Sequence, residues 1–133
     1  MIKILNYIIY IVLAVYIAFL VYRKTTFSLN KKINHLSAEE AYKLIKKNKN
    51  LLIIDVRTTQ EYKSGHIQGS KSFPVREIAS RITDLKKYKE QPILVYCASG
   101  GRSPSAVRVL LKNDFNNIYH MKRGLLGWPY GLK

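Results

Sequence analysis

"PILVYCASGGRSPSAVRVLLKNDF", residues 92–115, decides how this chain is read. Ile93 to Tyr96 form a short, unbroken run of strand-formers. A uniform apolar run, rather than an alternating one, suits a strand buried on both faces. Further on, Ala106, Val107, Leu110 and Leu111 recur at helical spacing. Ser103 fits an N-cap and Pro104 a first helical residue, so a helix is predicted to start there. Cys97 stands between strand and helix, with Ala98, Ser99, Gly100, Gly101 and Arg102 after it. In an open α/β sheet, ligands bind beyond the C-terminal ends of the strands. The only cysteine of the chain is predicted to sit at such an end.

The flanking sequence repeats the pattern. "LLIIDV" (51–56) is another uniform apolar run, "SKSFPV" holds a brief strand ended by Pro74, and "NIYHM" is a third strand candidate. Between them, "SAEE" (37–40) is a capping box that opens a helix through about Lys47. "TTQEYKSG" reads as a short helix stopped by Gly65. Val75, Ile78, Ile82 and Leu85 are spaced as on one helix face, and "RGLLGW" closes the chain with a short helix bearing Trp128. Helices alternating with uniformly apolar strands predict an α/β fold, with a mainly parallel central sheet covered by helices on both faces.

The first residues are of another kind. From Ile4 to Tyr22 the chain carries no charge, and as a helix this stretch spans roughly 28 Å, the thickness of a bilayer core. Tyr7, Tyr10 and Tyr22 suit the two interfaces. The stretch exceeds a signal-peptide core, and no small-residue cleavage pattern follows it. Of the 23 Lys and Arg residues only Lys3 precedes it, while Arg23, Lys24, Lys31 and Lys32 follow. The positive-inside bias therefore predicts a single-pass anchor in the cell membrane with the C-terminal domain cytoplasmic. The expected organisation is an anchor over 1–24, a basic juxtamembrane linker over 25–36 and one domain over 37–133. Ala14 and Ala18 read as two small lipid-facing residues.

A single cysteine excludes an internal disulfide, a two-cysteine redox pair and a multi-cysteine zinc site. A thiol that must stay reduced suits the cytosol. The net charge of +15 favours anionic surfaces or substrates. Much of it lies in short Lys clusters, and no nucleic-acid-binding motif accompanies them, so no nucleic-acid partner is expected.

The cysteine loop has its own chemistry. Gly100 and Gly101 permit backbone angles that other residues resist, which lets successive N–H groups converge on one anion. The following helix adds its positive end, and Arg102 adds charge. Such surroundings favour thiolate over thiol, lowering the cysteine pKa from ~8.5 to ~3.5–7.5.

With these residues in view, the part from about Leu36 to Trp128 resembles the single-domain rhodanese family of sulfurtransferases. The matching stretches are "LLIIDVRTTQEYKSGHIQGS" (51–70), "PILVYCASGGRS" (92–103) and "RGLLGW" (123–128). The resemblance implies that Cys97 attacks the outer sulfur of a small donor, such as thiosulfate or a persulfide, and carries it as a persulfide. It implies that backbone groups of Ala98, Ser99, Gly100, Gly101, Arg102 and Ser103 bind that sulfur, and that an external thiol, a protein cysteine or cyanide removes it. It implies no cofactor and no metal. Asp55 and Arg57 match the family's Asp-x-Arg and are assigned to holding neighbouring loops, with Arg57 near the site. His66 matches a structural Gly-His-Ile. His35 falls in the linker and His120 near a strand end, without metal-ligand spacing. Arg123-Gly124 stands where the family often has Gly-Gly.

Two other classes of protein share features of this sequence. Related cysteine phosphatases and arsenate reductases place five residues between Cys and Arg. Here Ala98 to Gly101 make four, a smaller loop with no acid to protonate a leaving group. A non-catalytic, membrane-tethered scaffold module is the other alternative, and domains of that kind have lost the cysteine that this chain keeps.

Overall fold

In a computed structural model describing all residues, Met1–Lys133, the chain divides into Met1–Lys31 and Lys32–Lys133. The first unit is one helix, α1 (Ile2–Ser28), long and apolar enough to cross a membrane. Its apolar side chains from Ile2 to Tyr22 are exposed, as a lipid-facing helix requires.

The second unit holds five strands: β1 (Ile33–Leu36), β2 (Leu52–Asp55), β3 (Lys71–Ser72), β4 (Ile93–Tyr96) and β5 (Ile118–Met121). They form one sheet in the order β1-β5-β4-β2-β3, and every pairing is parallel. All four residues of β2 and of β4 are buried. Successive side chains point to opposite faces, so both faces of the sheet centre are covered. On one face Ile53, Leu94, Tyr96 and Met121 pack with Ile67 and with Ala41 of α2 (Ala38–Lys47). The alternate residues Ile54, Ile93 and Val95 are buried too. The helix α5 (Ser103–Lys112) packs along β4 and β5 and buries Ala106, Val107 and Leu110. The α/β fold with a parallel central sheet is thus the one the sequence predicts.

Local rules set the ends of the elements. The Ser37 hydroxyl accepts the Glu40 N–H at 3.2 Å, while the Glu40 carboxylate accepts the Ser37 N–H at 2.7 Å, closing the capping box of α2. The helix α3 (Thr59–Ser64) has a second capping box, Thr58 with Glu61, and ends at Gly65 with φ 150°.

Three expectations need correction. The stretch 25–36, read as a linker, contains the last turn of α1 and then β1, which pairs in register with β5 from Ile33↔Ile118 to Leu36↔Met121. The single helix expected over Val75–Leu85 is a run of turns, followed by α4 (Ile82–Leu85) and a 3-10 turn, Lys86–Tyr88. Pro74 precedes that segment, and no side chain caps α4; Ile78 and Leu85 are still fully buried, so the apolar spacing is used without a regular helix. Finally, α5 begins one residue early: Arg102 is the N-cap and Ser103 the first helical residue.

Candidate active site

The parallel pairing of β2 with β4 brings the loops after Asp55 and Tyr96 to the same end of the sheet. Cys97 leaves β4 and is fully buried. Its Sγ accepts the backbone N–H of Gly100 at 3.1 Å and of Ser103 at 3.4 Å. The loop carbonyls turn the other way: Cys97 O accepts Leu125 N–H and Ala98 O accepts Leu126 N–H, each at 3.0 Å. The closing 3-10 turn, Gly124–Gly127, therefore holds the outside of the loop while the amides face the sulfur.

Burial alone would push the thiol up. The Ser103 hydroxyl and the backbone N–H groups of Ser103, Arg102 and Ser99 outweigh it, and the Cys97 pKa lies below its ordinary value. Of the residues expected in the cradle, Gly100 and Ser103 bond Sγ directly and Ser99 and Arg102 act on it through their N–H groups, while Ala98 turns its carbonyl to Leu126. Gly100 adopts φ +90°, and a Cβ there would collide with the Lys122 carbonyl. Gly101 has no such need: it is exposed at the loop crest, and a Cβ would meet only Ser99 Oγ, at 3.7 Å. The second indispensable glycine is Gly124, at φ +53°, where a Cβ would overlap Cys97 O. Arg123 beside it has φ −104°, open to any residue, so its departure from Gly-Gly costs no strain.

The loop after β2 is tied by charged side chains. Asp55 is buried and accepts Arg57 Nε at 3.1 Å and Nη2 at 2.7 Å. Arg57 Nη2 also donates to Gly65 O at 2.6 Å, so this pair fastens the turn after α3, as expected of loop-holding residues. His66 stacks on Tyr62 at 3.8 Å between centroids, and its Nδ1 lies 2.9 Å from Tyr62 O, a packing role. The buried Tyr96 hydroxyl accepts Ile67 N–H at 3.1 Å and meets Ser70 Oγ at 3.2 Å.

Sequence reasoning missed three residues of the site. Glu61 receives both Arg102 guanidinium nitrogens at 2.8 Å, which holds its carboxyl well below the usual carboxylate range, helped by the Thr58 N–H. The Arg102 side chain is thereby tied to the neighbouring loop, and its backbone N–H is what serves the sulfur. The Thr58-x-x-Glu61 capping-box spacing was a visible signal for Glu61's first role, but not for this second one. The others are His120 and His35. Ser103 Oγ lies 3.4 Å from Cys97 Sγ and 2.7 Å from His120 Nε2, and His120 Nδ1 lies 3.1 Å from His35 Nδ1. Strand register places the two histidines opposite each other. No cluster of three or more metal-ligating side chains forms.

A groove of about 540 Å³ opens beside the loop, lined by Val56, Thr58, Pro74, Val75, Arg76 and Arg102 among others.

Comparison with known proteins accords with this geometry. The Rhodanese-like domain family matches residues 37–129. The chain is 30% identical over 123 residues to YqhL of Bacillus subtilis, covering 92% of this chain and 94% of that one. It is 36% identical over 104 residues to the tRNA uridine(34) hydroxylase of Buchnera aphidicola subsp. Baizongia pistaciae, covering 75% of this chain but only 33% of that protein. Among solved structures, a rhodanese-like domain protein from Staphylococcus aureus aligns with TM-score 0.68 and 26% identity, over 75% of this chain and 96% of its own. With the family's segments folded around a single amide-cradled cysteine, this chain belongs to the rhodanese-like domain family.

Proposed function

We propose that this protein is a membrane-tethered sulfurtransferase that carries one sulfane sulfur on Cys97. The observation that carries the reading is the pair of backbone N–H groups, from Gly100 and Ser103, aimed at Sγ, with the thiol pKa lowered. A neutral structural thiol gains little from such a cradle, whereas a thiolate or a terminal persulfide sulfur gains much.

In the first half-reaction the Cys97 thiolate pair attacks the outer sulfur of thiosulfate. The new S–S bond forms as the bond to the sulfonate sulfur breaks, and sulfite leaves with that electron pair. In the second, an acceptor thiolate attacks the terminal sulfur of the Cys97 persulfide, and the Cys97 thiolate departs. Charge balances in both steps, and no oxidant or metal enters. Donor and acceptor approach along the groove between Pro74–Glu77 and Arg102. With one cysteine in the chain, the acceptor is another molecule.

The tether is α1, whose length and apolarity fit a bilayer crossing. The basic residues after it favour a cytoplasmic domain. The match to YqhL covers more of the chain than the second unit alone, so that relative shares part of this segment. Partners of the domain are then thiols or protein cysteines close to the membrane.

Steady-state kinetics with thiosulfate and varied acceptor thiol test the reading. Parallel double-reciprocal lines are expected for two half-reactions through a covalent intermediate. Activity retained in Cys97→Ser would refute it.

A further inference from the structure

The buried groups beneath Cys97 form a continuous chain that reaches a half-exposed histidine. Cys97 Sγ, Ser103 Oγ, His120 Nε2, His120 Nδ1 and His35 Nδ1 are linked at 3.4, 2.7 and 3.1 Å. Ser103 is fully buried and His120 is 4% exposed, while His35 lies on the edge strand β1 and is half-buried. A serine caps or packs in the first turn of many helices; here its hydroxyl is engaged on both sides instead. The Nδ1 to Nδ1 contact requires one ring to donate and the other to accept. The tautomers of the two histidines are therefore coupled, and through Nε2 they are coupled to the direction of the Ser103 hydroxyl.

We infer that Ser103, His120 and His35 form a proton path that carries the Cys97 thiol proton toward the surface and inverts its hydrogen-bond direction as the thiolate forms. In the thiol state Sγ–H donates to Ser103 Oγ, the Ser103 hydroxyl donates to His120 Nε2, and His120 Nδ1–H donates to His35 Nδ1. As Sγ loses its proton and keeps the electron pair, the proton passes to Oγ. The serine proton passes to His120 Nε2, and the Nδ1 proton of His120 passes to His35. His35 releases one proton from Nε2. In the thiolate state the Ser103 hydroxyl donates to Sγ, His120 Nε2–H donates to Oγ, and His35 Nδ1–H donates to His120 Nδ1. One proton has left, and His120 is neutral at both ends of the process.

Surrounding charges agree with this assignment. Burial, with His35 and Lys122 nearby, holds His120 at about 4, so it does not trap the proton as an imidazolium. The charged and titratable groups that act on His120 are His35 on β1 and Lys122 after β5. Arg102, paired with Glu61, is coupled to Cys97 and to Asp55, which is itself paired with Arg57. None is a competing acceptor that the structure places on Ser103. Ser103 touches the reacting sulfur; His120 and His35 act through it and are positioning residues.

This deepens the sulfur-transfer reading and rests on it for its purpose, but its test reads thiol ionisation alone. The chain has three histidines, so full-length protein with ¹⁵N-labelled histidine, in detergent micelles, gives three imidazole pairs in long-range ¹H–¹⁵N spectra. His66 serves as the internal reference, since Tyr62 O fixes its Nδ1 as a donor. As Cys97 is titrated from thiol to thiolate, His120 Nε2 is expected to change from acceptor to N–H donor, with the opposite exchange at Nδ1, and His35 to invert with it. In Cys97→Ser no inversion follows that titration. The companion measurement is alkylation of Cys97 by iodoacetamide across pH. His35→Ala shifts the profile to higher pH and slows alkylation about three- to tenfold at neutral pH, the size expected for losing one hydrogen bond between neutral groups. Added imidazole restores the rate. Tautomers that stay fixed through thiol ionisation, or a His35→Ala profile equal to wild type, would overturn the path. Persulfide formation in the same preparation reports separately on sulfur transfer.

Discussion

The loops after β2 and β4 leave neighbouring strands at one end of the sheet and are built in opposite ways. The first is held by charged side chains: Asp55 clasps Arg57, Arg57 clasps the Gly65 carbonyl, and Glu61 clasps Arg102. The second is held by backbone: its carbonyls go to Leu125 and Leu126, and its amides to a sulfur. The positive character of the site resides in the second loop's backbone. Each guanidinium of the two loops already has a carboxylate partner. Attraction for an anionic sulfur is left to N–H groups fixed in direction, which lose little order when the anion arrives. One loop is the frame, and the other is the site it frames.

The sharpest way to break this contrast is to add one methyl group to the backbone-built loop or to the closing turn packed against it. Gly100→Ala and Gly124→Ala each combine a left-handed φ with collision against a backbone carbonyl, of Lys122 and of Cys97 respectively. Together strain and overpacking amount to about 3 kcal/mol. Thermal unfolding in micelles should show Tm lower by roughly 10 °C, and sulfur transfer should be lost. A Gly124→Ala protein of wild-type Tm and activity would show that the closing turn does not shape the cysteine loop.

Acid separates the two regions next. His120 is held at about 4 against an ordinary 6.5. The unfolded chain takes up a proton there that the folded one refuses, so this stabilisation is full above about pH 6.5 and falls as the pH drops toward 4. At ~1.4 kcal/mol per unit, the loss is about 3 kcal/mol at most. Glu61 acts lower: its pKa is depressed, so its contribution holds above its ordinary 4.5 and is lost below it. Denaturant titrations of wild type and His120→Asn should therefore diverge between neutral pH and pH 5, while Glu61→Gln departs from wild type in the same way throughout that window.

Glu61→Ala has a smaller effect. The carboxylate is about a third exposed and screened, and its cap and ion-pair roles together are worth about 1–2 kcal/mol. Activity should fall modestly as the Arg102 clamp loosens. A rise in kcat/KM for thiosulfate would instead give the freed Arg102 a direct part in binding the donor. Gly101→Ala is the smallest change. With open space at the crest, stability should change by only about a tenth or two of a kcal/mol and Tm by less than about 1 °C, and any loss of rate reports only on donor access.

Much of the fold was legible because its signals are local. Uniform apolar runs marked β2 and β4, and Ser37 with Glu40 marked the start of α2. The strand β1 was not legible: Asn34 and His35 interrupt "INHL", basic residues flank it, and only pairing with β5 makes it a strand. Val75 to Leu85 had helical spacing, but burying Ile78 and Leu85 needed only turns. At the site, Cys97 and Gly100 declared themselves through chemistry and sequence spacing. Gly124 stood in a matching motif without showing its contact with Cys97 O. Ser103 was read as a cap because the sequence cannot show His120 arriving from β5. The Glu61–Arg102 and His35–His120 contacts join residues 41 and 85 positions apart, a distance at which spacing carries no information.

The amide-cradled Cys97 is expected to hold a transferable sulfur. Intact-protein mass spectrometry after incubation with thiosulfate tests it most directly, followed by addition of a thiol acceptor. The expected result is a gain of one sulfur atom per chain, mapped to Cys97, absent in Cys97→Ser and removed stoichiometrically by the acceptor. A wild-type chain that gains no sulfur from thiosulfate or from a persulfide donor, while its Cys97 alkylates readily, would contradict the account.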